Sequence, residues 1–126
     1  MKTLLEQVND TYAAVGALPA QSPLFSNLTW CEMKGGPYGG VYDTSDSILS
    51  GVFGRIQAQW DAFTFTPQDF LAAENAVTVV GNYTGVNKST GKSLDARVVH
   101  LWRIQNGALH FEQFADTKLI WDAMEE

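Results

Sequence analysis

The chain has 126 residues, 45% of them hydrophobic and 17% charged, a composition that indicates a folded globular protein and excludes a disordered chain. Eight Lys and Arg against 14 Asp and Glu give a formal net charge of −6. Without a basic cluster to neutralise phosphates, the sequence predicts neither a nucleic-acid partner nor a membrane-surface partner. The length predicts one domain spanning residues 1–126.

The single cysteine, Cys31, cannot form an internal disulfide, which favours a reducing compartment and a cytoplasmic location. The N-terminal segment lacks the long apolar run of a secretory signal, and no segment approaches the length of a membrane span. The two histidines and Cys31 lie far apart in the sequence, and phosphate-binding glycine motifs are absent. We therefore expect neither a metal nor a cofactor.

The first predicted element is a helix over residues 3 to about 16. Thr3 and Glu6 have the spacing of a capping box, and Gly16 and Pro19 are typical of a helix end. Apolar residues recur at helical spacing at Leu5, Val8, Tyr12 and Val15. Residues 20–28 are predicted to be irregular, with an apolar group at Leu24, Phe25 and Leu28 that can form a second helical turn.

A short strand is predicted next, over residues 28–33, and it contains Trp30. Residues 34–43 hold four glycines and Pro37, which predicts a loop. Thr44 or Ser45 can then cap a long helix over residues 44–60. The apolar positions of this helix are Ile48, Leu49, Val52, Phe53, Ile56 and Trp60.

After Trp60 the apolar period changes from 3.6 to 2, which indicates strands. Pro67 predicts a turn or a sheet edge within residues 61–73. Further strands are predicted over residues 76–86, 94–104 and 108–115, separated by turns at 87–92 and 105–107. A short final helix begins at Asp116 or Thr117. Helices followed by a strand meander predict an α+β fold, in which a curved antiparallel sheet wraps around the helices and leaves a cone-shaped pocket, an α+β roll.

The strand meander carries a recurring pattern of polar, aromatic and turn residues. The residues that carry it are Thr90-Gly91-Lys92-Ser93, His100, Trp102, Asn106-Gly107, Phe111 and Asp116-Thr117. With the glycine-rich loop before the long helix, this order resembles the nuclear-transport-factor-2-like superfamily, and within it the SnoaL-like and ketosteroid-isomerase-like proteins. The resemblance covers residues 3–124 and implies the same fold.

The resemblance also implies three candidate catalytic residues. Glu32 matches a strand-end carboxylate that shuttles a proton, although an exposed strand-end Glu is the alternative. Tyr12 matches an oxyanion-hole tyrosine loosely, and it can equally be a packed core residue. His100 stands where the isomerases have a protonated aspartate. A neutral His can donate a hydrogen bond, but this departure argues against steroid isomerisation, and a His satisfied within the sheet is the alternative.

Strand alternation assigns the pocket lining. Val98, His100 and Trp102 share one face of their strand, and the resemblance implies inward positions on the next strand. The predicted pocket residues are Trp30, Trp102, Phe111, Gln113 and Ala115. Asp116 resembles a carboxylate near the pocket mouth of cyclase-like members, or it caps the last helix. Cys31 should point away from the pocket.

The opposite sheet face carries Val99, Leu101 and Phe114 beside Arg97 and Arg103, which predicts a homodimer interface. Three functions remain open. The chain is a cofactor-independent acid–base enzyme of isomerase, cyclase or hydrolase type acting on a small hydrophobic molecule, a non-catalytic binding module for such a molecule, or a dimeric interaction module. We expect a small hydrophobic molecule as the partner in the first two.

Overall fold

A computed structural model describes residues 3–13 and 28–125. Its helices are α1 (Leu4–Ala13), α2 (Ser45–Ile48), α3 (Gly54–Gln59) and α4 (Thr117–Met124). Its strands are β1 (Leu28–Glu32), β2 (Gly40–Tyr42), β3 (Trp60–Ala73), β4 (Ala76–Asn87), β5 (Ser93–Gln105) and β6 (Ala108–Ala115). The predicted end of the first helix at Gly16 and Pro19 and the apolar group at Leu24 and Phe25 lie outside the described residues.

The six strands form one curved, unclosed sheet in the order β2-β1-β6-β5-β4-β3. The predicted α+β class and the curved sheet around helices are confirmed. The strand pairs are antiparallel except for β1 and β6, which run parallel, with Trp30 opposite Phe111. This parallel pair departs from the predicted antiparallel sheet. On one side β1 pairs antiparallel with β2, and on the other side it lies beside β6, about 80 residues further along the chain, a connection long enough for the two strands to run in the same direction.

The long predicted helix over residues 44–60 is present but is not one regular α-helix. Thr44 caps α2 through a reciprocal capping box with Ser47. A π-helical turn (Leu49–Phe53) then joins α2 to α3. Gly51 lies in this turn, where an added Cβ would clash with the Tyr42 ring, so glycine lets the turn approach β2 closely.

The predicted glycine loop contains a strand that the composition hid. Residues 40–42 form β2, which pairs with β1 at Cys31 opposite Val41. The prediction of a loop over 34–43 is therefore wrong at its C-terminal end. A three-residue edge strand contains too few apolar residues to show a strand pattern among the surrounding glycines. Pro67 lies on β3, the edge strand at the other side of the sheet, as its missing N–H requires.

The inner face of the sheet packs against the helices. Alternate residues of β5 are buried, and those of β6 match them, so that His100 lies opposite Gln113 and Trp102 opposite Phe111. Val8 of α1, Ile48 and Val52 pack in the same apolar cluster as Trp102 and Phe111. The helices thus cover one end of the sheet's concave face, and α4 covers the other end through Ile120 and Ala123.

No helix within the described ranges is long and apolar enough to cross a membrane.

Candidate functional site

A cavity of about 290 Å³ lies between α1, the helical segment 45–59 and the inner face of the sheet. Its wall is mainly aromatic, contributed by Trp30, Phe53, Phe63, Phe65, Trp102 and Phe111. Polar groups reach it from only a few positions, at Thr11, Tyr12, Glu32, Tyr83 and His100. Aromatic walls with a few convergent polar groups are typical of sites for small, mostly apolar molecules.

Glu32 is the acidic group on this wall. The alternation of β1 buries Leu28, Trp30 and Glu32 on the same face, and Glu32 is only 5% exposed. Its Oε2 accepts a hydrogen bond from the Trp30 indole at 2.7 Å, and its Oε1 accepts one from Gln113 Nε2 at 3.1 Å. Burial raises the pKa of Glu32 to about 7, and the Trp30 bond opposes this shift only in part.

His100 lies deeper, between two tyrosines. Its Nε2 is 2.8 Å from the Tyr83 hydroxyl and its Nδ1 is 2.6 Å from the Tyr12 hydroxyl. The Phe65 ring stacks on the imidazole with a centroid separation of 4.2 Å. Burial lowers the pKa of His100 to about 3, because the imidazolium would lose its hydration among apolar neighbours. The imidazole is therefore neutral at physiological pH.

Tyr12 reaches the cavity from α1. Its hydroxyl accepts a hydrogen bond from the Trp102 indole at 3.0 Å in addition to its bond with His100. Burial raises the pKa of Tyr12 above its ordinary value, so the phenol keeps its proton. The hydroxyl group is available as a hydrogen-bonding group but not as an anion.

Gln113 connects Glu32 to Tyr83, the hydrogen-bond partner of His100. Its Oε1 accepts the Met33 backbone N–H at 3.2 Å. Its Nε2 donates to Glu32 and, at 3.3 Å, to the Tyr83 hydroxyl. Gln113 is buried behind the cavity wall, and with Glu32 it also lines a second depression beside the glycine-rich turn.

The cavity thus brings together six of the residues predicted from the sequence, namely Tyr12, Trp30, Glu32, His100, Trp102 and Phe111. Gln113 contacts the cavity group Glu32 from behind. Cys31, half-buried, alternates with Glu32 along β1, and its Sγ is 3.9 Å from the Glu32 carbonyl oxygen.

Besides Gln113, two other predicted residues do not belong to the lining. Asp116 caps α4 by accepting the Leu119 N–H at 3.3 Å, so the capping alternative describes its position. Ala115 packs instead with the apolar cluster around Trp60 and Ile120, because β6 carries its last residues past the end of the cavity. Neither side chain is among those that surround the cavity.

Sequence reasoning missed Tyr83, Phe63 and Phe65. Tyr83 continues the buried alternation of Val77 and Val79 along β4, and this signal was available from the sequence. Its contact with His100 depends on the register of β4 and β5, which the sequence does not display. Among the described residues, no group of three or more His, Cys, Asp or Glu side chains is placed to hold a metal ion.

The comparisons with known proteins come from solved structures. No protein-family model and no curated protein matches the sequence. An NTF2-like protein from Burkholderia thailandensis shares 38% sequence identity and a TM-score of 0.90, with 100% of each chain covered. The chain belongs to the NTF2-like family. The resemblance deduced from the sequence pattern is therefore confirmed.

Two more distant structures share the fold of this NTF2-like protein. TerC, co-crystallised with polyporic acid, is 19% identical with a TM-score of 0.77 and covers 97% of this chain and 98% of its own. A protein with a ketosteroid isomerase-like fold from Catenulispora acidiphila, in complex with trimethylamine, is 18% identical with a TM-score of 0.74. It covers 94% of this chain and 91% of its own.

Proposed function

We propose that this NTF2-like protein is a cofactor-independent acid–base enzyme that moves a proton on a small, largely apolar carbonyl compound. Glu32 is the proton shuttle and Tyr12 donates a hydrogen bond to the carbonyl oxygen. The observation that carries this proposal is a buried carboxylate, with its pKa raised to about 7, on the same aromatic cavity as the Tyr12 hydroxyl. A general base works best when its pKa lies near the working pH.

The environment of Glu32 supports this role. The carboxylate forms no ion pair within residues 3–13 and 28–125, and the hydrogen bonds that it accepts from Trp30 and Gln113 come from neutral donors. An ion pair with Lys or Arg would lower the pKa and weaken the base. Here the desolvation of the carboxylate is only partly compensated, so the group takes a proton readily at neutral pH.

The proposed step conserves atoms and electrons. The Glu32 carboxylate removes a proton from the carbon beside the carbonyl, and the C–H electron pair forms a C=C bond while the carbonyl becomes an enolate. The Tyr12 hydroxyl hydrogen-bonds the enolate oxygen as negative charge develops there. Protonated Glu32 then returns the proton, to the same carbon or to a conjugated one, and the carboxylate is regenerated.

His100 acts in this proposal as a positioning residue. With a pKa of about 3 it is too weak a base to remove a proton from carbon. Its hydrogen bonds hold Tyr12 and Tyr83 instead. A catalytic base at position 100 is therefore not part of the proposal.

A non-catalytic binding site is the second candidate. One observation favours it: no buried side-chain nitrogen or oxygen in the described part of the chain lacks a hydrogen-bond partner. A site in which every buried polar atom already has at least one hydrogen-bond partner can simply enclose an apolar ligand. The ligand-bearing structures of the same fold, with polyporic acid and trimethylamine, support small-molecule binding under either candidate.

Hydrogen–deuterium exchange into a ketone separates the two candidates. The probe is 2-tetralone in D₂O, with loss of its α-proton signals followed by ¹H NMR and binding measured in parallel. We expect the wild-type protein to accelerate the exchange, and Glu32→Gln to lose at least a hundredfold of that rate while binding changes less than threefold, because an amide keeps the shape but takes no proton.

The control for this experiment is Glu112→Gln, which removes a half-exposed carboxylate from the other face of β6. It should leave exchange and binding unchanged. Wild-type protein that binds 2-tetralone and does not accelerate exchange, or a Glu32→Gln variant that retains the rate, contradicts the enzymatic proposal and leaves the binding module.

We also propose that two copies associate through the outer sheet face that carries Val99, Leu101 and Phe114. Phe114 is 37% exposed, and the other two side chains are half-buried. The cytoplasmic location suggested by the lone Cys31 stays a prediction.

A further inference from the structure

Five side chains form one hydrogen-bonded chain along the cavity wall, and all but Gln113 line the cavity: Glu32, Gln113, Tyr83, His100 and Tyr12. A neutral imidazole has one N–H and one bare nitrogen, so it donates on one side and accepts on the other. The protons of this chain therefore point in one overall direction. That direction decides whether Tyr12 gives its proton to His100 or to a ligand.

Gln113 fixes the direction at one end. Its Oε1 faces the Met33 backbone N–H, which can only donate, so the oxygen and nitrogen of the amide cannot be exchanged without setting two donors against each other. The amide nitrogen is consequently turned to Glu32 Oε1 and to the Tyr83 hydroxyl. The Tyr83 hydroxyl therefore accepts a hydrogen bond from Gln113 and cannot donate one to it.

Tyr83 passes this constraint to His100. The hydroxyl of Tyr83 is buried and has two polar neighbours, the donating Gln113 Nε2 and the His100 Nε2. Each tautomer leaves one phenol proton without a protein acceptor, that of Tyr83 if Nε2 carries the hydrogen and that of Tyr12 if Nδ1 carries it. Tyr83 is only 8% exposed whereas Tyr12 is half-buried, so the cost of about 1–3 kcal/mol for an unmade hydrogen bond is larger at Tyr83. The Tyr83 proton therefore points to Nε2, and the imidazole hydrogen lies on Nδ1.

Tyr12 completes the chain. Its oxygen then accepts from His100 Nδ1–H and from the Trp102 indole N–H, which is a donor only. With both acceptor positions used, the hydroxyl proton of Tyr12 points to neither neighbour. The cavity is the remaining direction.

We propose that Gln113 is the positioning residue that sets this direction, holding His100 as the Nδ1–H tautomer and turning the Tyr12 proton into the cavity. The cavity is thereby selective for molecules with an acceptor oxygen, such as a carbonyl, over isosteres that lack one. The hydrogen-bond direction stands independently of turnover. Its use in catalysis rests on the proposed function.

The first test uses the wild-type protein. The ¹⁵N and ¹H shifts of the His100 ring, assigned by comparison with His100→Gln, report which nitrogen is protonated. We expect the hydrogen on Nδ1. A ring protonated on Nε2 overturns the inference directly. The measurement is made on the wild-type protein, and His100→Gln serves only to assign the signals.

The second test reverses the direction of these hydrogen bonds with the charge-conserving double variant Glu32→Gln/Gln113→Glu. A carboxylate at position 113 accepts the Met33 N–H, the new amide at position 32 and the Tyr83 hydroxyl proton. Tyr83 then accepts from His100 Nε2–H, and bare Nδ1 takes the Tyr12 proton away from the cavity. We expect the tautomer to switch. A folded double variant that keeps the Nδ1–H tautomer removes Gln113 as the controlling residue.

Ligand selectivity is the third measurement. Wild-type protein should bind 2-tetralone at least tenfold more tightly than tetralin, which has the same rings without the oxygen. In the double variant the two affinities should converge to within about threefold, since the donor is gone. Equal affinities in the wild type contradict the selectivity. If the wild-type protein shows the expected tautomer and the expected selectivity but does not accelerate hydrogen–deuterium exchange, only the enzymatic proposal is overturned.

Discussion

Glu32 and His100 are buried on one cavity, and burial moves their pKa values in opposite directions. Removal from water penalises whichever form is charged, so the pKa of Glu32 rises to about 7 while that of His100 falls to about 3. Burial therefore favours the uncharged form of both groups.

These shifts predict the dependence of stability on pH. Unfolding returns the pKa of Glu32 to about 4.5. Above that pH the carboxyl group is ionised in the unfolded chain but keeps its proton in the folded chain. Stability then falls as pH rises from 4.5 to 7. Unfolding returns the pKa of His100 to about 6.5. Below that pH the imidazole binds a proton in the unfolded chain but stays neutral in the folded chain, so stability falls as pH drops from 6.5 to 3.

Between pH 4.5 and 6.5 the two contributions oppose each other, and we expect them to cancel in the wild type. Glu32→Gln leaves the His100 contribution alone, so its stability should fall by about 1.4 kcal/mol for each pH unit of acidification in this interval. His100→Gln should show the reverse slope. Urea unfolding at a series of pH values measures these slopes. Parallel curves for the wild type and both variants contradict the assigned shifts.

The candidate site was only partly predictable from sequence. Strand alternation and the family pattern place Glu32 and His100 on inward faces, because both depend on local periodicity. Tyr83 was missed because its meeting with His100 depends on strand register across the turn at 88–90. The partners of Gln113 are Met33, Glu32 and Tyr83, which come from three separated segments, so its role could not be derived from any one of them.

At the scale of elements, α4 begins at a cap and is anchored at several points. Asp116 accepts the Leu119 N–H, Trp121 donates to the Gly35 carbonyl at 2.7 Å, and Thr90 donates to the Ala123 carbonyl at 2.6 Å. These bonds tie the last helix to the glycine-rich turn and to the turn between β4 and β5. The helix therefore closes the end of the sheet away from the cavity.

Substitution of Asp116 tests its structural role. We expect Asp116→Ala to lower the free energy of unfolding by about 1 kcal/mol, because the first turn loses an acceptor, and Asp116→Asn to retain most of that energy. Both variants should bind 2-tetralone as the wild type does. Folded Asp116→Asn protein with exchange activity reduced tenfold or more would instead restore the catalytic assignment.

Most elements follow from their local pattern. The 3.6-residue period predicts α1, and the two-residue period predicts β4, β5 and β6 within about one residue of their observed ends. The exceptions are β2 and the parallel pairing of β1 with β6. A short glycine-containing edge strand has almost no pattern, and a pairing between distant segments is decided by burial of Trp30 against Phe111, which stack at 3.7 Å.

For the whole molecule, the outer sheet face predicts association. Its apolar side chains at Val99, Leu101 and Phe114 form a surface whose burial would be favourable in a pair. Light scattering at micromolar concentration should give twice the 13.9 kDa chain mass. Leu101→Lys should give monomers, and Leu71→Lys, at a 61% exposed position on edge strand β3, should remain paired. A monomeric wild type removes this proposal.

The distribution of tryptophans makes the cavity optically accessible. Of the four tryptophans, Trp30 and Trp102 line the cavity, whereas Trp60 packs in another cluster and Trp121 is 39% exposed. An aromatic ketone in the cavity should therefore quench the intrinsic fluorescence of the chain. Quenching should persist in Trp121→Phe and weaken in Trp102→Phe, so a library of unlabelled compounds can be screened by emission alone.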